Sequence, residues 1–279
     1  MKQSIFISVN SGIGEVLAKH RLNSGYKVIG TYRNANTFTA KKEDGMKTYP
    51  LDIDNEKNLK DFTKFLEEQN VCWDELIICT GIITPIVKFE SCKFSEWSNS
   101  FNTNFTSQCM VIRNLLHLRS KNNPLVVVFS AGGGKVNAGF SSYNIAKIAL
   151  IKAIECFDQE LSDCRFCAVG PGWLDTKIHR ATLDNVNKSS TIYKETIRRI
   201  KENDFGSYKQ MTDFFDWLSN QKKNVIGGRN ISIQYDDWHK EGFQHLLKEQ
   251  QLGGKLRRAL NESMNEISQV IGYNEENFK

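Results

Sequence analysis

Apolar residues recur along this chain in two rhythms. Short strand-like runs, most of them rich in Val, Ile, Leu or Phe, lie at Ser4–Val9, Lys27–Tyr32, Met46–Leu51, Glu75–Cys79, Leu125–Ser130 and Arg165–Val169. Their length and composition predict buried strands. Between them, at Gly12–Ser24, Asn55–Gln69, Ser95–Arg119 and Ser141–Leu161, apolar residues return every three or four positions, which predicts helices. Alternation of this kind argues a parallel sheet covered on both sides, an α/β, three-layer α/β/α, doubly wound fold. The last of these helices carries a wide apolar stripe at Ile145, Ala149, Leu150, Ala153, Ile154, Phe157 and Leu161. One side of it should pack on the sheet.

The second half is less regular. Residues 180–215 read as polar and irregular, with a helix at Ile192–Lys201. Val225 to Ile233 reads as a turn into a last strand. Tyr235, Trp238 and Phe243 follow, and then helical spacing at Leu256, Leu260, Met264 and Ile267. The expected organisation is one domain over residues 1–235 and a helical C-terminal extension over 236–279.

Composition narrows the function classes. The chain of 279 residues is long enough for one large core, and its net charge of +5 is mild and spread out. Nucleic acid is therefore not an expected partner. Lys222-Lys223 and Lys255-Leu256-Arg257-Arg258 read as solvated surface or an anion contact. Seven scattered cysteines fit free thiols in a reducing compartment, and Cys164-x-x-Cys167 lacks the second ligand pair a metal site needs. No apolar stretch approaches the ~18 residues of a membrane span, and the apolar start is too short for a signal peptide. The expected location is the cytoplasm.

Two clusters carry candidate chemistry. After the first strand comes Asn10-Ser11-Gly12-Ile13-Gly14, opening a helix. A glycine-rich turn there lets backbone approach a pyrophosphate, which the free N–H groups of the helix start can bind. Read alone, it could be an ordinary strand–helix turn. The second cluster is Tyr143 and Lys147, four apart and so on one helix face, with Ser130 thirteen residues earlier at a strand end. A neighbouring ammonium stabilises a phenolate, and a serine hydroxyl can bond to whatever the tyrosine protonates. Without a partner site, the pair reads as a solvated lysine beside a packed tyrosine.

With both clusters in place, the chain resembles a short-chain dehydrogenase/reductase, a Rossmann-type fold. The family's Thr-Gly-x-x-x-Gly-Ile-Gly corresponds to Ile7-Ser8-Val9-Asn10-Ser11-Gly12-Ile13-Gly14, with Ser8 in place of the first glycine. Its Asn-Asn-Ala-Gly is reduced to Ile78-Cys79-Thr80-Gly81. Its relay asparagine matches Asn104, and Ser130, Tyr143 and Lys147 match the remaining catalytic positions. Gly170-Pro171-Gly172-Trp173-Leu174-Asp175-Thr176 carries the following Pro-Gly motif. The resemblance is tight over residues 1–180 and mostly absent after 235.

The resemblance implies a role for each residue. Tyr143 exchanges a proton with substrate, and Lys147 lowers its pKa and holds the nicotinamide ribose. Ser130 orients the substrate oxygen and Asn104 keeps a water in the relay. Ser8, Asn10, Ser11, Gly12, Ile13, Gly14, Thr80, Gly81, Pro171 and Gly172 would contact the cofactor, with Leu174 and Thr176 on the carboxamide. Asp52 and Ile53 would meet the adenine, although Asp52 could equally cap the next helix. The second strand ends Tyr32-Arg33, with no acid to bind a ribose 2′-hydroxyl. Arg33 suits a 2′-phosphate, so the expected cofactor is NADP(H).

The family further implies a small-molecule carbonyl or alcohol substrate, a lid near 177–215 and a homodimer or homotetramer. Tyr235-Asp236-Asp237-Trp238 loosely resembles members from bacterial surface-polysaccharide pathways. The rival readings are a sugar-nucleotide epimerase or dehydratase, and a non-catalytic NADP(H)-binding regulator.

Overall fold

The computed structural model describes residues 1–34, 45–130 and 137–256. Seven strands form one sheet: β1 (Gln3–Ile7), β2 (Lys27–Tyr32), β3 (Lys47–Pro50), β4 (Glu75–Ile78), β5 (Leu125–Phe129), β6 (Arg165–Gly170) and β7 (Arg229–Ser232). Every pairing is parallel, in the order β3-β2-β1-β4-β5-β6-β7. The central strands β4, β5 and β6 are buried along their whole length because both faces are covered.

Alternation along each strand divides the interior into two cores. Ile5 and Ile7, with Val126 and Val128, face one way; Phe6, with Leu125 and Val127, faces the other. The first face is covered by α2 (Glu56–Glu68), α4 (Ser107–Leu115) and α5 (Ser141–Glu160), through Leu59, Phe62, Leu115, Leu150 and Ile154. The second is covered by α1 (Gly12–Asn23) and α8 (Tyr208–Ser219), through Leu17, Met211, Phe214 and Leu218. This is the expected three-layer, Rossmann-type architecture. Among the described residues, no helix is long and apolar enough to cross a membrane.

The predicted helix Ser95–Arg119 is not continuous. It runs as α3 (Phe94–Phe101), a π turn at Asn102–Thr106, then α4. Within the π turn, Ser107 N–H reaches back to Asn102 O, and Asp54 ties it from outside. Its carboxylate accepts from Thr103 Oγ1 and from Ser107 Oγ, both at 2.6 Å.

The helix expected at Ile192–Lys201 is present, and the rest of residues 180–215 is more regular than expected. The span forms α6 (Lys177–Asn185), α7 (Thr191–Glu202) and the start of α8. Side chains of Ser190 and Ser207 cap the last two by accepting from Tyr193 N–H and Gln210 N–H. The polar reading arose because α6 and α7 bury little: Thr182 in one and Thr196 in the other. Past the short helix α9 (Lys223–Ile226), α10 (Glu241–Glu249) of the extension packs on the second core through Leu247, in one cluster with Trp238. The predicted tail positions Leu260, Met264 and Ile267 lie outside the described residues.

The α5 stripe also splits. Leu150 and Ile154 are buried together with Ala146 and Ile151, whereas Ile145 remains 50% exposed. Ile148, Phe89 and Phe94 are exposed as well. Phe94, Trp97 and Phe101 stack along α3, with centroids 5.8 and 5.7 Å apart. An apolar face is thereby left open beside α5.

At the sheet's opposite pole, Arg21 and Glu75 form a buried ion pair. Arg21 Nε donates to Glu75 Oε2 at 2.9 Å and Nη2 to Oε1 at 3.2 Å. Ser4 Oγ and Ser219 Oγ also donate to that carboxylate, and Phe215 O accepts from Arg21. The network joins α1, β1, β4 and α8. Arg21→Met should destabilise the protein by about 3–5 kcal/mol, because it leaves a carboxylate buried without its partner. Arg21→Met/Glu75→Leu should lose far less. Urea unfolding measures both, and a single variant as stable as wild type would contradict the account.

Candidate active site

In a parallel sheet all C-terminal strand ends share one edge, and the strand order turns back between β1 and β4. A crevice opens at such a reversal. Here it is a cleft of about 400 Å³.

The turn after β1 forms its floor. Ser8 takes φ +65°, the left-handed conformation that glycine adopts without strain. That costs a side-chain-bearing residue roughly 1–2 kcal/mol. The Ser8 hydroxyl bonds to Thr80 Oγ1 at 2.7 Å and Ser8 N–H to Thr31 Oγ1 at 3.1 Å, so both neighbouring strands hold the turn. Ser11 caps α1 by accepting from Gly14 N–H at 2.9 Å. Gly14 permits the close return, since a Cβ there would lie 2.6 Å from Ser8 O. Ser8, Asn10, Ser11, Gly12 and Ile13 line the cleft, while Gly14 supports the turn.

Other strand ends supply the walls. Arg33 lines the cleft after β2, and Asp52 and Ile53 after β3. The cap of α2 is Asn55, whose side chain accepts from Asn58 N–H, so Asp52 is not the cap. Thr80 and Gly81 line the cleft after β4, Ser130 after β5, and Pro171 and Thr176 after β6. Gly172 and Leu174 are not among these lining residues. Gly172 turns the chain at φ +73°, and Leu174 is buried in the second core. Asp175 and Thr176 lie over Gly12, and Tyr208 Oη donates to Asp175 O at 2.6 Å.

Tyr143 and Lys147 enter from α5, and both line the cleft. Lys147 Nζ sits 5.8 Å from the Tyr143 ring centroid, and among the described residues no carboxylate pairs with it. Burial sets both protonation equilibria. It lowers the Lys147 ammonium to about 8 and raises the Tyr143 phenol to about 12. The expected lowering of Tyr143 by Lys147 is thus reversed in the protein alone. The lysine lies over the ring, and loss of water from the phenol outweighs it. The Cys79 thiol is likewise pushed up to about 12 by burial, so it remains protonated.

Asn104 is fully buried and its amide is spoken for. Nδ2 donates to Ile82 O at 2.7 Å and Ser100 O at 2.9 Å, and Oδ1 accepts from Ile82 N–H at 3.0 Å. Its side chain thereby fixes the segment after Gly81 rather than reaching into the cleft.

Sequence reading missed several cleft residues, including Asn34, Asp54, Ile82, Lys177 and Ile178. Asn34 and Lys177 follow directly on Arg33 and Thr176, so proximity to a motif was an available signal. Among the described residues, no group of three His, Cys, Asp or Glu side chains could hold a metal ion. The arrangement suits an extended dinucleotide: a capped helix start for a pyrophosphate, a guanidinium after β2, and a buried ammonium and a half-buried phenol on α5.

A family profile described as Enoyl-(Acyl carrier protein) reductase matches residues 7–235. The chain is similar to 3-oxoacyl-[acyl-carrier-protein] reductase FabG of Buchnera aphidicola, 23% identical over 83% of this chain and 96% of that one. It is also similar to an uncharacterized oxidoreductase of Schizosaccharomyces pombe, 27% identical over 118 residues. That match spans 42% of this chain and only about half, 48%, of the relative. A solved short-chain dehydrogenase/reductase from Saccharomyces cerevisiae superposes with a TM-score of 0.77 at 20% identity, covering 85% of this chain and 98% of that one. The RhlG/NADP active-site complex of Pseudomonas aeruginosa gives 0.70 at 19% identity, covering 87% and 96%. Likeness at these identities speaks to the fold, while the profile spans most of the chain. The chain belongs to the short-chain dehydrogenase/reductase family and so to the oxidoreductases.

Proposed function

We propose that this protein interconverts a carbonyl and an alcohol with NADP(H), using Tyr143 as the proton donor and acceptor. The observation that carries the reading is the meeting of Ser130, Tyr143 and Lys147 with the glycine-rich turn in one cleft. The cofactor, when bound, supplies the hydride. Lys147 holds its ribose, and Arg33 meets its 2′-phosphate. Ser130 holds the substrate oxygen, and Asn104 positions the Gly81–Ile82 segment beside it. Residues 177–215 serve as the lid. Proton release from Tyr143 needs positive charge near its oxygen, and Lys147, whose Nζ lies 5.8 Å from the Tyr143 ring centroid, can supply it.

A sugar or sugar-acid intermediate of surface polysaccharide biosynthesis is one substrate class, supported only by the loose likeness at Tyr235–Trp238. A β-ketoacyl thioester is the second, favoured by the acyl-carrier reductases among its relatives. The open apolar face of α3 and α5 supports a two-fold homo-oligomer, and seven free cysteines support a cytoplasmic location. NADPH oxidation should be screened with sugar phosphates, ketoses, 3-deoxy keto sugar acids, ethyl acetoacetate and an acetoacetyl thioester. Turnover without net NADPH consumption would point to an epimerase or dehydratase instead.

Tyr143→Phe should lower turnover by at least ~10²–10⁴-fold, the usual share of general acid–base catalysis, with NADPH affinity nearly intact. A folded variant that binds NADPH and keeps most of its activity would refute the mechanism. Arg33→Ala should weaken NADP(H) by about 1.5 kcal/mol, the low end for a charged hydrogen bond because Arg33 is exposed. NAD(H) should change far less, and calorimetry on both cofactors decides it. Because the Lys147 ammonium is charged only below about 8, NADP(H) affinity should fall as pH rises through that value. In Lys147→Met affinity should be weak and flat over the same range, and a persisting step would assign the titration elsewhere.

A further inference from the structure

Ser130 makes one contact that the reading above leaves unused. Its Oγ donates to Asn230 Oδ1 at 2.6 Å. Ser130 stands at the end of β5 and Asn230 lies on β7, so the bond crosses the whole width of β6. Two small residues allow it. Ala168, paired with both Val128 and Asn230, presents only a methyl group. Gly170 presents nothing, and a Cβ there would come within 3.8 Å of Ser130 Oγ. Asn230 is anchored from the far side, its N–H donating to Gly254 O at 2.8 Å. Next to it, the Arg229 guanidinium donates to the carbonyls of Leu247 and Gln250. A polar side chain between this strand's buried positions is thus fixed and aimed at the serine.

We propose that Asn230 is a positioning residue that sets which way the Ser130 hydroxyl points, an inference that rests on the carbonyl–alcohol reading. That chemistry makes the same demand in both directions. The serine must donate to the substrate oxygen, carbonyl or alcohol, because the alcohol's one proton is committed to Tyr143. A carboxamide carries an acceptor oxygen and a donor NH₂ on one planar group. With Oδ1 toward Ser130, the amide holds the serine proton. Turned over about Cβ–Cγ, the same amide donates to Oγ and frees the serine proton for the substrate oxygen. A carboxylate could only accept, and an alkyl group could do neither.

The test places Asn230→Leu and Asn230→Asp in the wild-type and Ser130→Ala backgrounds. Activity is read as NADPH oxidation over about pH 5–9, with whichever carbonyl of the screen the wild type reduces, and NADPH affinity is measured by calorimetry. Asn230→Leu should lower kcat by roughly 10-fold, the scale of one lost hydrogen bond, with NADPH affinity unchanged. Asn230→Asp should be impaired at high pH and recover as pH falls through its carboxyl pKa, because the protonated acid regains a donor. Wild type should lack that limb. In Ser130→Ala, neither substitution should lower kcat further. Wild-type kcat in Asn230→Leu, or equal losses in both backgrounds, would overturn the inference and leave Asn230 a packing residue. A wild type that reduces none of the carbonyls would instead overturn the functional reading, and this inference with it.

Discussion

Parallel pairing governs this molecule. No tight hairpin can join two parallel strands, so each connection must cross a face of the sheet, and helices make most of those crossings. The same constraint sends every C-terminal strand end to one edge. The chain places β2 and β3 on one side of β1 and all later strands on the other, so the connections diverge above β1 and β4. Residues far apart in sequence, from Ser8 to Thr176, meet there because the topology leaves a gap at that point. Arg21 and Glu75 secure the opposite pole, away from the chemistry.

Burial beside this gap has an electrostatic consequence. Lys147, on the helix that also presents Tyr143, is 3% exposed, and no carboxylate among the described residues neutralises it. Removal from water makes the ammonium easier to lose and the phenol harder to ionise. At neutral pH the phenol is therefore neutral while the ammonium still carries its charge, close to the point of losing it. The site is poised by desolvation rather than by a resident ion pair.

Much of this was legible in the chain. Six strands and most of their helices fall within about two residues of the predicted runs, because fully buried strands and amphipathic helices leave strong periodic signals. The motifs at Gly12, Ser130, Tyr143 and Lys147 pointed to one edge of the sheet. What escaped depends on contacts between distant residues. The π turn around Asn104 is braced by Asp54, about fifty positions away, and helical periodicity carries no trace of it. Helix α6 buries so little that its composition resembled a loop, whereas the helical spacing of α7 was legible at Ile192–Lys201. Ser8 looked like a defect in a glycine motif, yet its hydroxyl finds Thr80, a partner only the fold supplies. The direction of the Tyr143 shift was misjudged because spacing reveals proximity but not depth.

The last strand has a further consequence. β7 is the outer edge of the sheet, where unpaired backbone donors would offer a template for a strand from another molecule. Its outward N–H groups are already taken: Asn230 N–H by Gly254 O, and Ser232 N–H by the Asp236 carboxylate at 2.7 Å. The segment that follows β7 folds back to seal the edge, and Arg229 clamps it there. At the opposite edge, β3 ends in Pro50, which has no N–H to offer. Growth of the sheet by a strand from a second chain is blocked on one side by a returning segment and discouraged on the other by an imino acid. Any association of this protein is thereby steered away from its strand edges and toward its helical faces.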